Sequence, residues 1–531
     1  MASRSDEVIM ERDFLLLPKR KGRYKVTLSQ RGIYFSQVSN NNSHYEESLL
    51  KISDIVGCHC LNKSDIQSTQ LSTSDDCDKI NDVEFSFVEP PNFMRQIRNS
   101  LNPFSCGFVI FAYPFVKKKL SSKQIRQRQC FAFEIPATSN SSEEFQERRS
   151  EADIWQNVIN RLCREVPVNL QDLSKNIPPE RKPWLFLINP FSGPGKAHTI
   201  FKQDIVPILY EASIPYKALV TTHAGHASEL VKTTNLSEWY GIVIVSGDGL
   251  IFETINGIMQ RDDWASSLKT PIGCLPGGSG NALCCSINYA AGEPVDVNMV
   301  LHSAFVLVKH RVIPMDLVAV HLPHRTCFSF LSITWGIMAD IDYETEKYRN
   351  LGETRFTVGA VVGILGQFEF ICLFFIILYT QTDEFEVEEE TYLGRKADFS
   401  PVPTPLLPPL AEPLPDSWVS VDGDFVLVMA AYQTHLGSDM LAAPDARLQD
   451  GLINLMMIRK GVSKANLFRL FLSFSQGNHV SSPHVEMVKV LAFRLEPHST
   501  SGNIMVDGER FEPAPIQAQI LPGLARVMAI R

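Results

Sequence analysis

Three apolar stretches in the middle of the chain each run straight into a glycine-rich turn, and this repeat limits the possible folds more than any other feature. Trp184-Leu-Phe-Leu-Ile leads into Asn189-Pro-Phe-Ser-Gly-Pro-Gly-Lys196. Tyr240-Gly-Ile-Val-Ile-Val leads into Ser246-Gly-Asp-Gly249, and Ile272-Gly-Cys-Leu into Pro276-Gly-Gly-Ser-Gly-Asn281. A buried strand, a turn and a helix make the repeating unit of an α/β domain. The turns then lie at the carboxyl ends of the strands, where such sheets bind ligands. Glycine lets a ligand come close to the backbone, and the exposed N–H groups suit phosphate. The first turn lacks Walker A spacing, and alone it would read as an ordinary turn. Three in one segment point to a phosphate site. Asp248, between two glycines, stands where a carboxylate can take a proton from an attacking hydroxyl or help hold magnesium. The alternative role is capping the helix that follows.

The 531 residues suggest about three domains. Residues 1–172 read as a mostly β module. Arg23-Tyr-Lys-Val-Thr-Leu and Gly32-Ile-Tyr-Phe-Ser alternate as half-buried strands do, and Phe108–Tyr113 and Cys130–Ile135 look similar. A helix is expected over Glu151–Cys163, with Ile154, Val158 and Leu162 at helical spacing beside Trp155. Strands closed by one helix carrying a tryptophan resemble a pleckstrin-homology domain. Residues 173–182 form a linker, 183–316 the α/β domain, and 317–531 a strand-rich domain. Its insert at about 381–416, acidic and then proline-rich, is expected to be mobile and extended.

Charge and cysteine content narrow the class. Lys plus Arg is 50 against 59 for Asp plus Glu, a formal charge of −9, which argues against nucleic acid as a bulk partner. One local run, Lys117, Lys118, Lys119, Lys123, Arg126 and Arg128, could meet anionic phospholipid or be a solvated loop. The 11 cysteines show neither zinc spacing nor a disulfide framework. The polar start lacks a signal-peptide core, so a cytoplasmic setting is expected. The apolar run Val358–Tyr379 is interrupted by Gln367 and Glu369, which leaves Phe370–Tyr379, about half a bilayer span, so a buried strand or helix is expected there, with a lid that touches lipid as the alternative.

The three glycine turns together resemble the superfamily of diacylglycerol, ceramide and sphingosine kinases, whose active site is marked by a Gly-Gly-Asp-Gly turn. Here its first glycine is Ser246, as in the sphingosine kinase branch. Thr334 to Thr357, Thr434 to Pro444, Phe493-Arg-Leu-Glu-Pro497 and Val506-Asp-Gly-Glu509 are similar to that branch. The resemblance runs from about Trp184 to the C-terminus. It implies an α/β nucleotide-binding domain followed by an antiparallel β-sandwich that encloses a lipid tail. It implies an ATP- and magnesium-dependent kinase acting on the primary hydroxyl of sphingosine to give sphingosine 1-phosphate.

By the same resemblance Asp248 is the catalytic base, and Ser246, Gly247, Gly249 and Asp342 meet the lipid head group. A carboxylate at Asp342 suits the cationic amine of sphingosine, whereas ceramide offers a neutral amide. Asp340 is an adjacent competitor. Asn189, Pro190, Phe191, Thr221, Thr222, His223, Ala224, Gly225, Glu253, Gly278, Ser279 and Gly280 line the nucleotide. Arg349 and Arg355 grip the triphosphate, as bidentate cations do. Asp507, Gly508 and Glu509 return to the nucleotide or its magnesium, with the metal-ligating carboxylates left open. Gly461–Phe474 is an amphipathic helix that either binds a calmodulin-like calcium sensor or packs Leu467, Leu470 and Phe471 into the core. Peripheral membrane contact is expected.

The chain departs from the family pattern over Phe368–Glu390 and in carrying the N-terminal module. Ceramide kinases carry a pleckstrin-like domain there, so ceramide kinase is the alternative activity. A non-catalytic lipid-binding adaptor and a nucleotide-cofactor kinase are alternatives of other kinds, and intact Asp248, Arg349 and Arg355 disfavour the adaptor.

Overall fold

The structure is a computed structural model. It describes residues 7–17, 22–38, 47–61, 96–97, 101–102, 104–117, 124–139, 141–347, 408–415, 418–497 and 502–530, together with the backbone of 372–379. The chain divides into two compact units. One comprises residues 1–184, 199–219 and 300–310, the other 185–198, 220–299 and 311–531.

The first unit contains a seven-stranded sheet. The strands Val8–Leu17, Arg23–Ser29, Gly32–Gln37 and Ser48–Lys51 pair in sequence as an antiparallel meander. Gln129–Glu134 joins the free edge of the first strand, followed by Gly107–Ala112 and Ile55–Cys60. The expected helix is longer than its periodicity suggests, covering Ser142–Cys163. Its polar first turns are set by a cap, with Ser141 Oγ accepting from Glu144 N at 3.2 Å. Its buried face is Ala152, Trp155, Val158, Ile159 and Cys163, and Trp155 stacks on Phe108 with ring centroids 5.2–5.4 Å from Phe14 and Phe108.

Two later segments are built into this unit. The helix Val206–Glu211 ends against the strand Ile55–Cys60 so closely that a Cβ on Gly57 would stand 1.9 Å from the carbonyl oxygen of Glu211. Only glycine permits that approach. Glu211 is fully buried and accepts from Tyr113 Oη at 2.6 Å and from the Arg128 guanidinium. Arg126 is also turned inward. It pairs with Asp54 at 3.0 Å and lies over the rings of Phe115 and Phe305. Two arginines of the basic run are therefore committed to ion pairs, while Lys117 is exposed and Lys118, Lys119 and Lys123 lie outside the described residues. Lys309 donates to the carbonyls of Ile52, Ile55 and Cys163 at 3.0–3.2 Å.

In the second unit the strands Trp184–Ile188, Ile242–Ser246 and Ile272–Pro276 pair in parallel, as the repeat predicts. The long C-terminal strand Ile516–Ala529 runs beside Ile272–Pro276 and then pairs antiparallel with Arg311–His321, so the α/β sheet continues into the strand-rich part. That part packs its apolar faces around Trp335, Tyr432, Phe425 and Phe493. The end of the apolar run, Cys372–Tyr379, is a strand between Val419–Ala431 and Ala492–Pro497. Residues 358–371 lie outside the described residues. Among the described residues no helix is long and apolar enough to cross a membrane. Most of the 381–416 insert is likewise outside them, but its end is pinned. Arg494 donates to the carbonyls of Pro409 and Glu412, and Gln517 to that of Pro408.

Candidate active site

The three glycine turns meet with almost no room between them. A Cβ on Gly278 would lie 2.4 Å from Gly247 Cα, and one on Gly193, where φ is +50°, would lie 2.7 Å from the carbonyl carbon of Gly278. The turns are tied by short bonds: Gly277 N donates to Ser246 O at 3.1 Å, and Asn189 N to Val245 O at 3.2 Å. Asn281 closes its own turn, accepting from Gly278 N and donating to Gly278 O at 3.1 and 3.0 Å.

Asp248 opens the helix Asp248–Ile258, yet its carboxylate caps a different helix. Oδ2 accepts from Ala282 N at 2.8 Å and Oδ1 from Leu283 N at 3.1 Å, at the start of Ala282–Ala290. A helix N-terminus favours negative charge there. These amides occupy two of roughly four lone-pair positions on a carboxylate. The capping role considered from sequence is thus real, but on a neighbouring helix.

Asp248 faces a cavity of about 830 Å³ whose lining lies wholly within the second unit. One end is polar, formed by Asn189, Phe191, Thr221–Ala224, Ser246–Gly249, Ser279 and Gly280. Phe191 is 67% exposed there, an unshielded ring beside the glycine turns. The other end is mostly apolar: Met338, Leu436, Met440 and Phe471 pack on one apolar cluster, with Phe468 and Leu472 on the same helix as Phe471. The helix Ile337–Thr345 serves both ends, because Met338, Ile341, Asp342 and Glu346 share the helical face that lines the cavity. Asp340 is on another face, where it accepts from Asn503 at 2.7 Å and burial raises its carboxyl. Of the two competing acids, Asp342 lines the cavity and Asp340 does not.

The Val506-Asp-Gly-Glu509 match is a two-residue hairpin. Asp507 and Gly508 have φ of +51° and +83° between the paired residues Val506 and Glu509, which is type I′ turn geometry. The turn puts Glu509 on the cavity and leaves Gly508 close to Asp342. The Asp507 carboxylate is taken up by the neighbouring turn. It accepts from Ser329 Oγ at 2.6 Å and from the amides of Phe330, Leu331 and Ser332 at 2.9–3.0 Å. Burial raises it to about 7 against those bonds. Burial also raises Glu509, reinforced by the charges of Glu346 and Glu253, so three acids crowd this corner. Glu253 also accepts from Ser228 N at 3.1 Å.

Most of the predicted site residues therefore converge on one cavity. Pro190, Gly225 and Gly278 belong to its turns without lining it, and Arg349 and Arg355 lie outside the described residues. Sequence reasoning missed Ser192 and the apolar wall. Its signal in the sequence is the spacing of Phe468 and Leu472, four apart on the helix Lys464–Ser473; the structure leaves both exposed.

Comparison with known proteins agrees with this geometry. Residues 183–320 match the diacylglycerol kinase catalytic domain, and residues 416–529 the YegS C-terminal NAD kinase beta sandwich-like domain. Human sphingosine kinase 1 is 39% identical over 350 residues, covering 64% of this chain and 88% of that protein. Human sphingosine kinase 2 is 30% identical over 538 residues, covering 79% and 81%. The chain belongs to the sphingosine kinase family. A crystal structure of a diacylglycerol kinase from Bacillus anthracis aligns with a TM-score of 0.44 at 17% identity, covering 66% of this chain and 98% of that one. By the two family matches and the sheet of the first unit, the kinase has a diacylglycerol-kinase-type α/β domain, a C-terminal β-sandwich and an N-terminal mostly β module.

Proposed function

We propose that this kinase transfers the γ-phosphoryl group of ATP to the primary hydroxyl of sphingosine and related sphingoid bases. The observation that carries the reading is the two-ended cavity, with glycine turns and Asp248 at one end and an apolar wall at the other. A phosphate donor and a lipid tail need those two environments in one site. Asp248 takes the proton of the attacking hydroxyl. Asp342 pairs with the substrate ammonium, a contact that ceramide's amide cannot match. Asn189, Phe191, Thr221–Gly225 and Gly278–Gly280 hold the nucleotide, and Arg349 and Arg355 neutralise its triphosphate.

The acids fit a magnesium ion carried in with the nucleotide. Glu253, Glu346 and Glu509 crowd one corner, and a divalent cation relieves their repulsion. Among the described residues no three metal-ligating side chains stand close enough to chelate one unaided. When bound, the ion offsets charge on the transferred group. Asp507, committed to the 329–332 turn, supports the corner rather than ligating.

The N-terminal module is read as pleckstrin-homology-like on the strength of its seven strands and closing helix. Cytoplasmic residence with peripheral membrane contact fits the lipid substrate. The helix Lys464–Ser473 buries Leu467 and Leu470 and presents Phe468, Phe471 and Leu472 to the cavity, which favours a cavity wall over a calmodulin-like sensor site.

The test is a radiolabelled ATP assay offering sphingosine, ceramide and diacylglycerol in parallel. Label is expected on sphingosine, and label on ceramide alone overturns the reading. Asp248→Asn is expected to lower turnover by about 10²–10⁴-fold, the usual worth of a general base. Near-normal turnover in that variant removes Asp248 from its role.

A further inference from the structure

Asp248 opens the helix Asp248–Ile258, which orders the chain after it, but Gly247 just ahead has little intrinsic backbone preference and must be fixed from outside. The amides of Ala282 and Leu283 hold the carboxylate end. The main-chain end is held by Ser192, from the first glycine turn. Its hydroxyl oxygen accepts from Gly247 N at 3.0 Å and from Ser246 Oγ at 3.1 Å. Those donors are consecutive residues immediately before the base. Ser192 is 9% exposed, and a Cβ on Gly278 would come within 3.0 Å of the same oxygen. The three turns therefore close around one hydroxyl.

We propose that Ser192 is a positioning residue for phosphoryl transfer: its hydroxyl oxygen fixes the Ser246–Gly247 backbone and so holds Asp248 where it meets the substrate hydroxyl. This rests on the assignment of Asp248 as the base. Without the oxygen, a part-buried N–H and a buried hydroxyl lose this acceptor. The turn then relaxes to find other partners, and Gly247, ahead of the helix, lets it do so. A displacement of about 1 Å at the reacting centre can cost on the order of 10²-fold in rate. Substrate contacts away from the turn are untouched, so the loss falls on kcat.

The experiment compares Ser192→Ala with the parent full-length chain, using sphingosine and magnesium ATP. Turnover is expected to fall about 30-fold, within the range for such displacements. KM for ATP and for sphingosine should stay within about threefold and the melting temperature within a few degrees, changes too small to signal lost binding or lost fold. Two results overturn the proposal: kcat within threefold of the parent, or a loss confined to KM for ATP, which would make Ser192 a nucleotide ligand. If Ser192→Ala does not fold, Ser192→Cys carries the same reading, because its sulfur is a weak acceptor of similar shape. Failure of both to fold assigns Ser192 a purely structural role and also overturns the proposal. Asp248→Asn, assayed alongside, separates the two ideas. If that variant keeps its turnover, the assignment of the base has failed, whatever Ser192 does.

Discussion

Lys309 offers the sharpest test of how the N-terminal module is joined to later parts of the chain. Its ammonium donates to the carbonyls of Ile52, Ile55 and Cys163, which come from the module's short 3-10 turn, the start of its strand and the end of its helix. Lys309→Met keeps most of the apolar stem and deletes the three bonds. At about 1.5–3 kcal/mol for each charge-assisted bond, the gross loss is roughly 4–9 kcal/mol. Burial lowers the lysine pKa, so the ammonium already bears a desolvation cost that its removal returns. Offsetting more than half leaves a net loss of about 3 kcal/mol, or about 150-fold in the opening equilibrium. Hydrogen exchange read by mass spectrometry reports this locally. Peptides covering 52–60 and 158–163 should exchange about 100-fold faster in the variant, by that same conversion. Lys175→Met is the control, since Lys175 is 72% exposed in its pair with Asp172 and such pairs contribute little. An acceleration below about threefold for Lys309→Met, equivalent to under 1 kcal/mol, refutes the reasoning.

Two further outcomes concern the second unit. Asp507→Asn keeps a residue that tolerates positive φ but sets an amide NH₂ against one of the donors from the 329–332 turn. It should cost about 1–3 kcal/mol in urea unfolding, and no measurable loss would mean the four bonds are not structural. His435 is 3% exposed, and burial lowers it to about 4. Below its unfolded value near 6.5 the unfolded chain takes a proton that the folded chain refuses until about pH 4. The histidine's contribution is therefore complete above 6.5 and is lost as pH falls toward 4, roughly 2 kcal/mol of it by pH 5. His435→Asn should flatten the fall in unfolding free energy between pH 8 and pH 5 by that amount, and an unchanged slope rejects the assignment.

What the sequence revealed and what it hid follow from the range of the interactions concerned. The glycine turns were legible because strand, turn and helix are written within a dozen residues, and Asp248 stood out between its glycines. The first turns of the helix Ser142–Cys163 were hidden from hydrophobic periodicity, being polar, although Ser141 and Glu144 carry a capping signal. Asp507-Gly508 also has a plainer local meaning, a hairpin turn; in it the Asp507 carboxylate bonds the 329–332 turn, while Asp507, Gly508 and Glu509 all line the cavity. Ser192 gave no signal, because its role depends on a turn 54 residues later.

The basic run shows the same limit with more consequence. A string of lysines and arginines says nothing about which way each one faces, since that depends on acids elsewhere in the chain. Arg126 meets Asp54 72 residues earlier, and Arg128 meets Glu211 83 residues later. Both ion pairs include a side chain that is buried or nearly so, where losing one partner leaves an uncompensated charge. These arginines are therefore held by the fold and cannot also be offered to a membrane without breaking it. Were that run to meet anionic lipid, at about 1 kcal/mol per basic residue, Arg126 and Arg128 would add nothing to the attraction.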